Sequence, residues 1–258
     1  MVAVFPPLLL LVLLAECGCS ASSSSTFGAK MTTLTTSAGA GGSVAAPTVT
    51  QRAWQSTNLR TFHHFDICTF TGCEHNDGTE GRGSGPPSAF NPSAVNASQW
   101  VLAAKAMGAG TAVMTARHEG GFALWPSKFT NYSIAHSPYK GGKGDIVMEF
   151  VTACRKHGIK PGLYIAAGCD AFHHCGPHPV TSPAEYERIQ TGMVEELVSG
   201  TYGVIEYLWF DHHGNPVNST SPFGPECPHM CDPMSTSLWS SIDQTVAKYG
   251  GQTLRGGE

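Results

Sequence analysis

The chain has 258 residues, of which 41% are hydrophobic and 13% are charged, and its formal net charge is -4. A mildly acidic chain with few charges lacks the clustered Lys and Arg of nucleic-acid-binding proteins, so no nucleic-acid partner is expected. The length allows one large domain or two small ones.

The amino terminus predicts entry into the secretory pathway. An apolar run at residues 5–14 is followed by small residues through Ala21, which is typical of a cleaved signal peptide. The run is short for a membrane span, so residues 1–21 are expected to be removed, leaving no stable membrane insertion. A retained anchor is the alternative. The expected location is extracellular, lysosomal or vacuolar.

Secretion would make glycosylation and disulfide formation available. Sequons begin at Asn96, Asn131 and Asn218. Cysteines beyond the signal are odd in number, so one is expected to stay free or to pair elsewhere. Two short loops carry plausible local disulfides, Cys169–Cys175 and Cys227–Cys231.

Residues 22–50 are mostly Ser, Thr, Gly and Ala, and we expect a flexible linker there. From residue 51 onward, apolar runs and amphipathic segments alternate. Strands are predicted at 62–70, 111–116, 161–167 and 204–210. Helices are predicted at 97–107, 145–157, 183–198 and 235–248. A fifth strand is expected close to residue 258.

This alternation predicts parallel strands, in either an open doubly wound sheet or a (β/α)8 barrel. No Gly-rich nucleotide fingerprint follows any predicted strand, which weakens the nucleotide-binding version. Polar residues instead follow the strand ends, where a barrel builds its active site. About four βα units are present in residues 51–258, which is half of a complete barrel.

Hydrophobic spacing predicts which side of each helix is buried. For the first helix, the predicted inward residues are Trp100, Ala103, Ala104 and Met107. For the second they are Ile146, Phe150, Val151 and Cys154, and for the third Tyr186, Ile189, Met193 and Leu197.

Asp211 is the sharpest chemical signal, since it directly follows an apolar strand that ends in Trp209 and Phe210. A carboxylate fixed at such a position can attack an oxocarbenium-like centre in sugar cleavage. A helix cap or a loop acid is the structural alternative.

Other polar residues follow the earlier strands. His118 and Glu119 precede a segment containing Trp125, a combination that suits carbohydrate binding. His63 and His64 are expected to point to opposite faces, so at most one of them faces a barrel interior.

A metal site is the weaker interpretation of the His and Cys residues later in the chain, whose spacing matches no zinc module. Those residues are His173, His174, Cys175, His178, Cys227, His229 and Cys231.

Five sequence blocks, taken in order, resemble the α-L-fucosidases of glycoside hydrolase family twenty-nine. The blocks are residues 62–74 with Phe62-His63-His64-Phe65 and Glu74, 90–100 with Phe90-Asn91-Pro92, 115–128 with Thr115-Ala116-Arg117-His118, 143–164 with Lys143-Gly144-Asp145, and 208–211 with Leu208-Trp209-Phe210-Asp211. The resemblance implies a (β/α)8-barrel-like catalytic domain, no cofactor, and a fucosylated glycan as substrate.

Carried over by position, the resemblance assigns roles to individual residues. Asp211 becomes the nucleophile, and Glu74 matches a Glu near the active site. Because the family's acid/base lies beyond the fourth strand, Glu74 is only a stand-in candidate for the acid/base or a supporting carboxylate, with Glu226 a weaker one. The residues implied to bind the sugar are His64, His118, Glu119, Trp125 and Trp209.

This sequence departs from the family pattern at several of these positions. Glu119 stands where a second His is expected, Asp66 where Gly is expected, and His75 where Trp is expected. The added carboxylates place more negative charge in a pocket that already needs one ionised Asp. The general acid/base is expected beyond the fourth strand, so the domain is expected to be truncated.

Three hypotheses therefore stand: a retaining exo-glycosidase that releases terminal α-L-fucosyl residues, a non-catalytic fucose-binding homologue or inactive fragment, and a secreted Cys/His metal-binding protein.

Overall fold

All strands within the described residues form one parallel sheet, in the order β1-β2-β3-β4-β5. The structure is a computed structural model, and it describes residues 46–57, 59–72, 85–167, 172–173, 180, 182–211, 236–250 and 253–257. The strands are β1 (Arg60–His63), β2 (Thr111–Arg117), β3 (Lys160–Ile165), β4 (Tyr207–Phe210) and β5 (Leu254–Gly257).

The described helices alternate with these strands from β1 onward. They are α1 (Val49–Gln55), α2 (Cys68–Thr71), α3 (Ala97–Ala106), α4 (Ile146–His157), α5 (Pro183–Val198) and α6 (Thr236–Tyr249). This order confirms the predicted parallel β/α architecture, including the expected fifth strand.

Capping residues explain where the central helices begin and end. The Asp145 side chain accepts a hydrogen bond from the Met148 N–H at 2.8 Å, which starts α4, and Gly158 with φ 72° ends it. Ser182 caps α5 in the same way, with Pro at the first helical position.

The sheet has two different faces, because successive side chains of a strand point in opposite directions. One face packs against the helices through buried residues such as Met114, Leu163 and Leu208. The opposite face carries a separate cluster around Val113, Tyr164 and Ala166. We call this second side the inner face; at its rim Phe62 remains 41% exposed.

Helix α1 lies against the amino-terminal end of the inner face and was not predicted. The Trp54 ring lies 5.3 Å from the Tyr207 ring, and the Arg60 guanidinium lies 3.7 Å above the Trp54 ring. Thr48 forms a capping box with Gln51. The helix therefore crosses the predicted boundary between linker and domain at residue 50.

The predicted strand at 62–70 is wrong from residue 64 onward, and the observed strand begins two residues earlier. Strand β1 ends at His63, and α2 begins at Cys68 after the chain turns at Asp66. Gly72, with φ 71°, ends α2 in a left-handed conformation that glycine adopts readily.

The inward faces of α4 and α5 are confirmed, since all eight predicted residues are buried. For α3 the buried residues are Ala97, Val101 and Ala104. Of the four predicted inward residues only Ala104 is buried; Trp100 is half-buried, and Ala103 and Met107 are exposed, so the predicted inward face of α3 is wrong in part.

Within the described part of the chain, no helix is both long and apolar enough to cross a membrane.

Candidate active site

The carboxyl ends of β1, β2 and β4 bring three of the predicted polar residues to one edge of the sheet. His64 directly follows β1, His118 directly follows β2, and Asp211 directly follows β4. Because all strand pairs are parallel, these three positions share the same edge. This is the edge at which a barrel enzyme holds its catalytic residues.

Asp211 is fixed to β3 by a side-chain contact and a backbone contact. The Tyr164 hydroxyl donates a hydrogen bond to Oδ2 of Asp211. The Asp211 N–H donates to the Ile165 carbonyl at 3.3 Å. Tyr164 pairs in register with Trp209 on β4, which places its side chain on the inner face beside the carboxylate. Asp211 is half-buried, so part of it remains accessible from solvent.

Aromatic side chains line the inner face beside Asp211. The Trp209 ring lies 5.1 Å from the Phe62 ring and 5.5 Å from the Tyr164 ring. Such ring contacts stabilise one another through edge and offset packing. Trp209 itself is half-buried, so the structure places this predicted sugar-binding residue next to Asp211.

The two predicted sugar-binding histidines lie together. The rings of His64 and His118 are 4.5 Å apart in an edge-to-face arrangement, with His64 exposed and His118 buried. The Tyr164 ring is 5.9 Å from that of His118. Tyr164 contacts both His118 and Asp211, and the two histidines are therefore connected to Asp211 through Tyr164.

His63 points to the opposite face, as predicted from strand alternation. Its ring stacks near Trp100 and Phe150 on the helix side of the sheet. Burial there lowers the pKa of His63 below its ordinary value, because the charged imidazolium loses hydration.

Asp66 is a buried carboxylate behind His118. It is 2% exposed; Oδ1 accepts from the Cys68 N–H at 2.8 Å, and Oδ2 lies 3.8 Å from Nδ1 of His118. Asp66, one of the polar residues expected after the first strand, thus lies against His118.

A β-bulge at the end of β2 sets the direction of the residues that follow it. The register between β2 and β3 shifts between Thr115 and Arg117. Arg117 is fully buried and donates to the Ala166 carbonyl at 2.7 Å and to Oε1 of Gln190 on α5. The guanidinium therefore ties the end of β2 to the helix layer, immediately before His118.

The expected role of Trp125 near the sugar does not fit its position. The ring is 1% exposed and belongs to the core on the helix side of the sheet. Its indole N–H donates to Oε2 of Glu196 on α5 at 2.9 Å, and Oε1 of Glu196 accepts from the Lys128 N–H at 2.8 Å. An indole N–H in a core needs an acceptor, and Glu196 provides it. These two hydrogen bonds therefore anchor the loop after β2 to α5.

Glu119 is buried directly after His118. The candidate acid/base Glu74 and the weaker alternative Glu226 both lie outside the described residues.

Metal binding finds no support in the described ranges. No group of three or more His, Cys, Asp or Glu side chains in them is arranged to hold a metal ion. Of the predicted Cys/His ligands only His173 is described, and it is buried. Cys154 is a buried free thiol, and burial raises its pKa to about 12. The proposed local disulfides lie outside the described residues.

The sequence interpretation overlooked Tyr164 as a member of the site and did not foresee the contact between Asp66 and His118. Tyr164 could have been found from its position near the end of β3. It lies two residues after Gly162, so both residues are on the inner face of the sheet. Asp66 was visible as a polar residue after the first strand, but its partner lies on another strand.

Comparison with known proteins gives consistent results. The family model described as alpha-L-fucosidase matches residues 43–248. Alpha-L-fucosidase 1 of Arabidopsis thaliana is 38% identical over 165 residues, which cover 64% of this chain and 30% of that protein. A solved glycoside hydrolase 29 family member from an unknown rumen bacterium is 29% identical, with a TM-score of 0.66, covering 82% of this chain and 36% of that one.

An alpha-L-fucosidase from Lactobacillus casei, solved in complex with α-L-fucose product, is 22% identical with a TM-score of 0.59. At that identity the likeness concerns the fold alone. The match covers 79% of this chain and 68% of that one. By contrast, the chain spans less than half of the length of the Arabidopsis and rumen proteins.

Proposed function

The chain belongs to the alpha-L-fucosidase family, and we propose that it is a retaining exo-glycosidase acting on terminal α-L-fucosyl residues of glycans or glycoproteins. The observation that carries the proposal is the position of Asp211. This carboxylate follows β4 at the carboxyl edge of the sheet and accepts a hydrogen bond from Tyr164. A nucleophile requires a rigid support of this kind.

In the proposed reaction a carboxylate oxygen of Asp211 attacks the anomeric carbon of the fucosyl residue. The bond from that carbon to the leaving oxygen breaks, and the leaving oxygen takes a proton from the acid/base. Water then attacks the fucosyl ester on Asp211, giving its proton to the same acid/base and releasing fucose. Glu74, which matches a Glu near the family's active site, is the stand-in that we propose for the acid/base or for a supporting carboxylate.

Two kinds of side chain are proposed to hold the sugar. His64 and His118 would hydrogen-bond its hydroxyls, since they lie together at the strand ends beside Tyr164. Trp209 would pack against its C–H groups, because its ring lies on the inner face beside Asp211. Glu119 would accept from a further hydroxyl, as a carboxylate can.

A non-catalytic fucose-binding homologue is the second candidate. Asp66 and Glu119, which stand where Gly and His are expected, favour it, because added negative charge in the pocket would oppose the ionised form that a nucleophile needs. In that case fucose binding would survive the loss of Asp211, whereas hydrolysis would be absent from the start. The metal-binding alternative is not favoured.

We further propose that the protein enters the secretory pathway and carries N-linked glycans. The apolar amino terminus and the sequons support this. Two of the sequon residues, Asn96 and Asn131, are exposed in the structure. Asn96 uses its side-chain oxygen to cap α3, which leaves the amide nitrogen, the atom that accepts a glycan, outside that bond.

The decisive experiment measures release of 4-nitrophenol from 4-nitrophenyl α-L-fucoside by the full chain, beside Asp211→Ala and Asp243→Ala. Asp243 is an exposed aspartate on α6, and its replacement is the matched control. We expect release by the unchanged chain and by Asp243→Ala, and its loss in Asp211→Ala.

Azide can replace a missing carboxylate nucleophile, so the Asp211→Ala variant should form fucosyl azide when azide is added. Formation of that product would identify Asp211 as the nucleophile independently of the loss of rate. No release from the folded, unchanged chain would sink the enzymatic proposal and leave the binding one.

A further inference from the structure

Asp66 and His118 form a buried acid–imidazole pair that the proposed reaction does not use. Oδ2 of Asp66 lies 3.8 Å from Nδ1 of His118. That separation is longer than a direct hydrogen bond and within the range of an electrostatic contact. Both side chains are almost completely shielded from solvent, so the carboxylate acts on the ring through a medium of low dielectric constant.

The Asp66 carboxylate is held in place and is therefore directed at one particular atom of the ring. Its other oxygen, Oδ1, accepts from the Cys68 N–H at 2.8 Å, at the turn into α2. Ile67, the residue between them, is fully buried. Neither the turn nor the carboxylate can rotate without breaking this contact, so Oδ2 keeps facing Nδ1.

Two aromatic rings also neighbour the His118 ring. His64 meets it edge to face at 4.5 Å, and Tyr164 lies nearly parallel to it at 5.9 Å between ring centroids. These rings restrict how far the imidazole can turn. The same Tyr164 donates to Asp211, so His118 and the carboxylate that is proposed to attack the sugar share Tyr164 as a neighbour.

We propose that Asp66 is a positioning residue that holds the proton of neutral His118 on Nδ1, so that Nε2 accepts a hydrogen bond from a sugar hydroxyl. A neutral imidazole has one protonated and one unprotonated nitrogen, and a nearby negative charge stabilises the proton on the nearer one. Carboxylates fix the tautomer of metal-bound histidines in the same way. The identity of the ligand, a fucosyl residue, rests on the proposed function, whereas the proton position does not.

The direct test is a long-range ¹H–¹⁵N spectrum of the full chain labelled with ¹⁵N-histidine, recorded at about pH 8.5, where an ordinary imidazole is neutral. The His118 signals are identified by their loss in His118→Gln. We expect an N–H at Nδ1 and an unprotonated Nε2. A proton on Nε2 in the unchanged chain would overturn the proposal, and this readout does not need turnover.

Asp66→Asn then tests the cause. Asparagine keeps the size of the side chain and an oxygen for the Cys68 N–H, and it removes the negative charge. We expect the proton of His118 to move wholly or partly to Nε2, and the KM for 4-nitrophenyl α-L-fucoside to rise about tenfold with a smaller change in kcat. Asp145→Asn, a half-buried aspartate at the start of α4, is the matched control and should change neither readout.

An unaltered His118 spectrum in folded Asp66→Asn would show that Asp66 does not set the tautomer. If the unchanged chain releases no nitrophenol, the proposed function fails, and the spectrum still decides whether Asp66 directs the proton.

Discussion

The hydroxyl of Tyr164 on β3 donates a hydrogen bond to Oδ2 of Asp211 at the end of β4. The bond joins neighbouring strands through their side chains, beside the backbone contact from the Asp211 N–H to Ile165. A charge-assisted hydrogen bond holds a carboxylate in one orientation. Tyr164 therefore sets the direction in which Asp211 would meet the anomeric carbon.

We expect Tyr164→Phe to lower kcat/KM for 4-nitrophenyl α-L-fucoside about 10- to 100-fold. A hydrogen bond to a charged group contributes about 1.5–3 kcal/mol, and each 1.4 kcal/mol is a factor of about ten in rate. The ring remains and keeps its packing against Trp209. Tyr207→Phe, on the same face near the start of β4, is the control. Equal rates for the two variants would contradict the assigned role.

The start of α4 offers a test of stability. Asp145 caps the helix through Oδ1, and its Oδ2 accepts from the Tyr202 hydroxyl at 2.9 Å. Asp145→Ala removes the cap and leaves that hydroxyl without its acceptor, so the free energy of unfolding should fall by about 2–4 kcal/mol. Tyr202→Phe loses the second bond alone and should cost about 1 kcal/mol. Urea denaturation measures both, and similar losses in the two variants would count against the capping contribution.

The burial of His63 should make the free energy of unfolding depend on pH. Burial lowers its pKa in the folded chain, so below about pH 6.5 the unfolded chain binds a proton that the folded chain does not. The contribution of His63 to stability is therefore fully present above that pH. It is lost as the pH falls toward the lowered folded pKa.

The comparison with His63→Phe isolates this effect, because phenylalanine keeps an aromatic ring beside Trp100 and cannot titrate. Between about pH 7.5 and pH 5, the unchanged chain should lose free energy of unfolding relative to the variant. Denaturation curves recorded at several pH values give this difference. A constant difference across the range would refute the prediction.

At Gly192 on α5 we expect a larger side chain to clash with the ring of Phe129. A Cβ at this position would lie 2.3 Å from Cε1 and Cζ of the Phe129 ring. Gly192→Ala should therefore destabilise the chain by about 1–3 kcal/mol, despite a gain of about 1 kcal/mol in helix propensity.

In a Phe129→Ala background the ring is absent, and the same Gly192→Ala change should become stabilising. Thermal unfolding of the four chains gives the coupling between the two positions. Additive effects would mean that the Phe129 ring moves aside without cost.

Much of the fold could be predicted from the sequence where local signals agreed. Helix α5 begins at a Ser-Pro pair and has a clear apolar stripe, and its predicted and observed bounds coincide at Pro183–Val198. Strand β1 was less predictable, because Phe65 and Phe70 continue its aromatic character beyond His63. Those rings contact each other and Phe90 on the helix side, so tertiary packing decides where the strand ends.

The site was also predictable only where a local pattern along the sequence marked the residue. Alternation along one strand separates His63 from His64, and a carboxylate after an apolar run draws attention to Asp211. The pairs Tyr164–Asp211 and Asp66–His118 join residues 47 and 52 positions apart, and they depend on the register between strands. The buried position of Trp125 depends on Glu196 from a distant helix, which no local pattern reveals.

The parallel pairing of every strand has a consequence for how the chain folds. Each strand finds its neighbour roughly fifty residues away, as in the pairs Arg60–Thr111 and Thr111–Lys160. Contacts of such long range slow folding, because a large loop must close before any pairing stabilises it. During synthesis, β1 must wait for the whole of α3 and β2 to emerge. The nascent chain therefore exposes an unpaired strand edge for several seconds, at synthesis rates of about 5–20 residues per second.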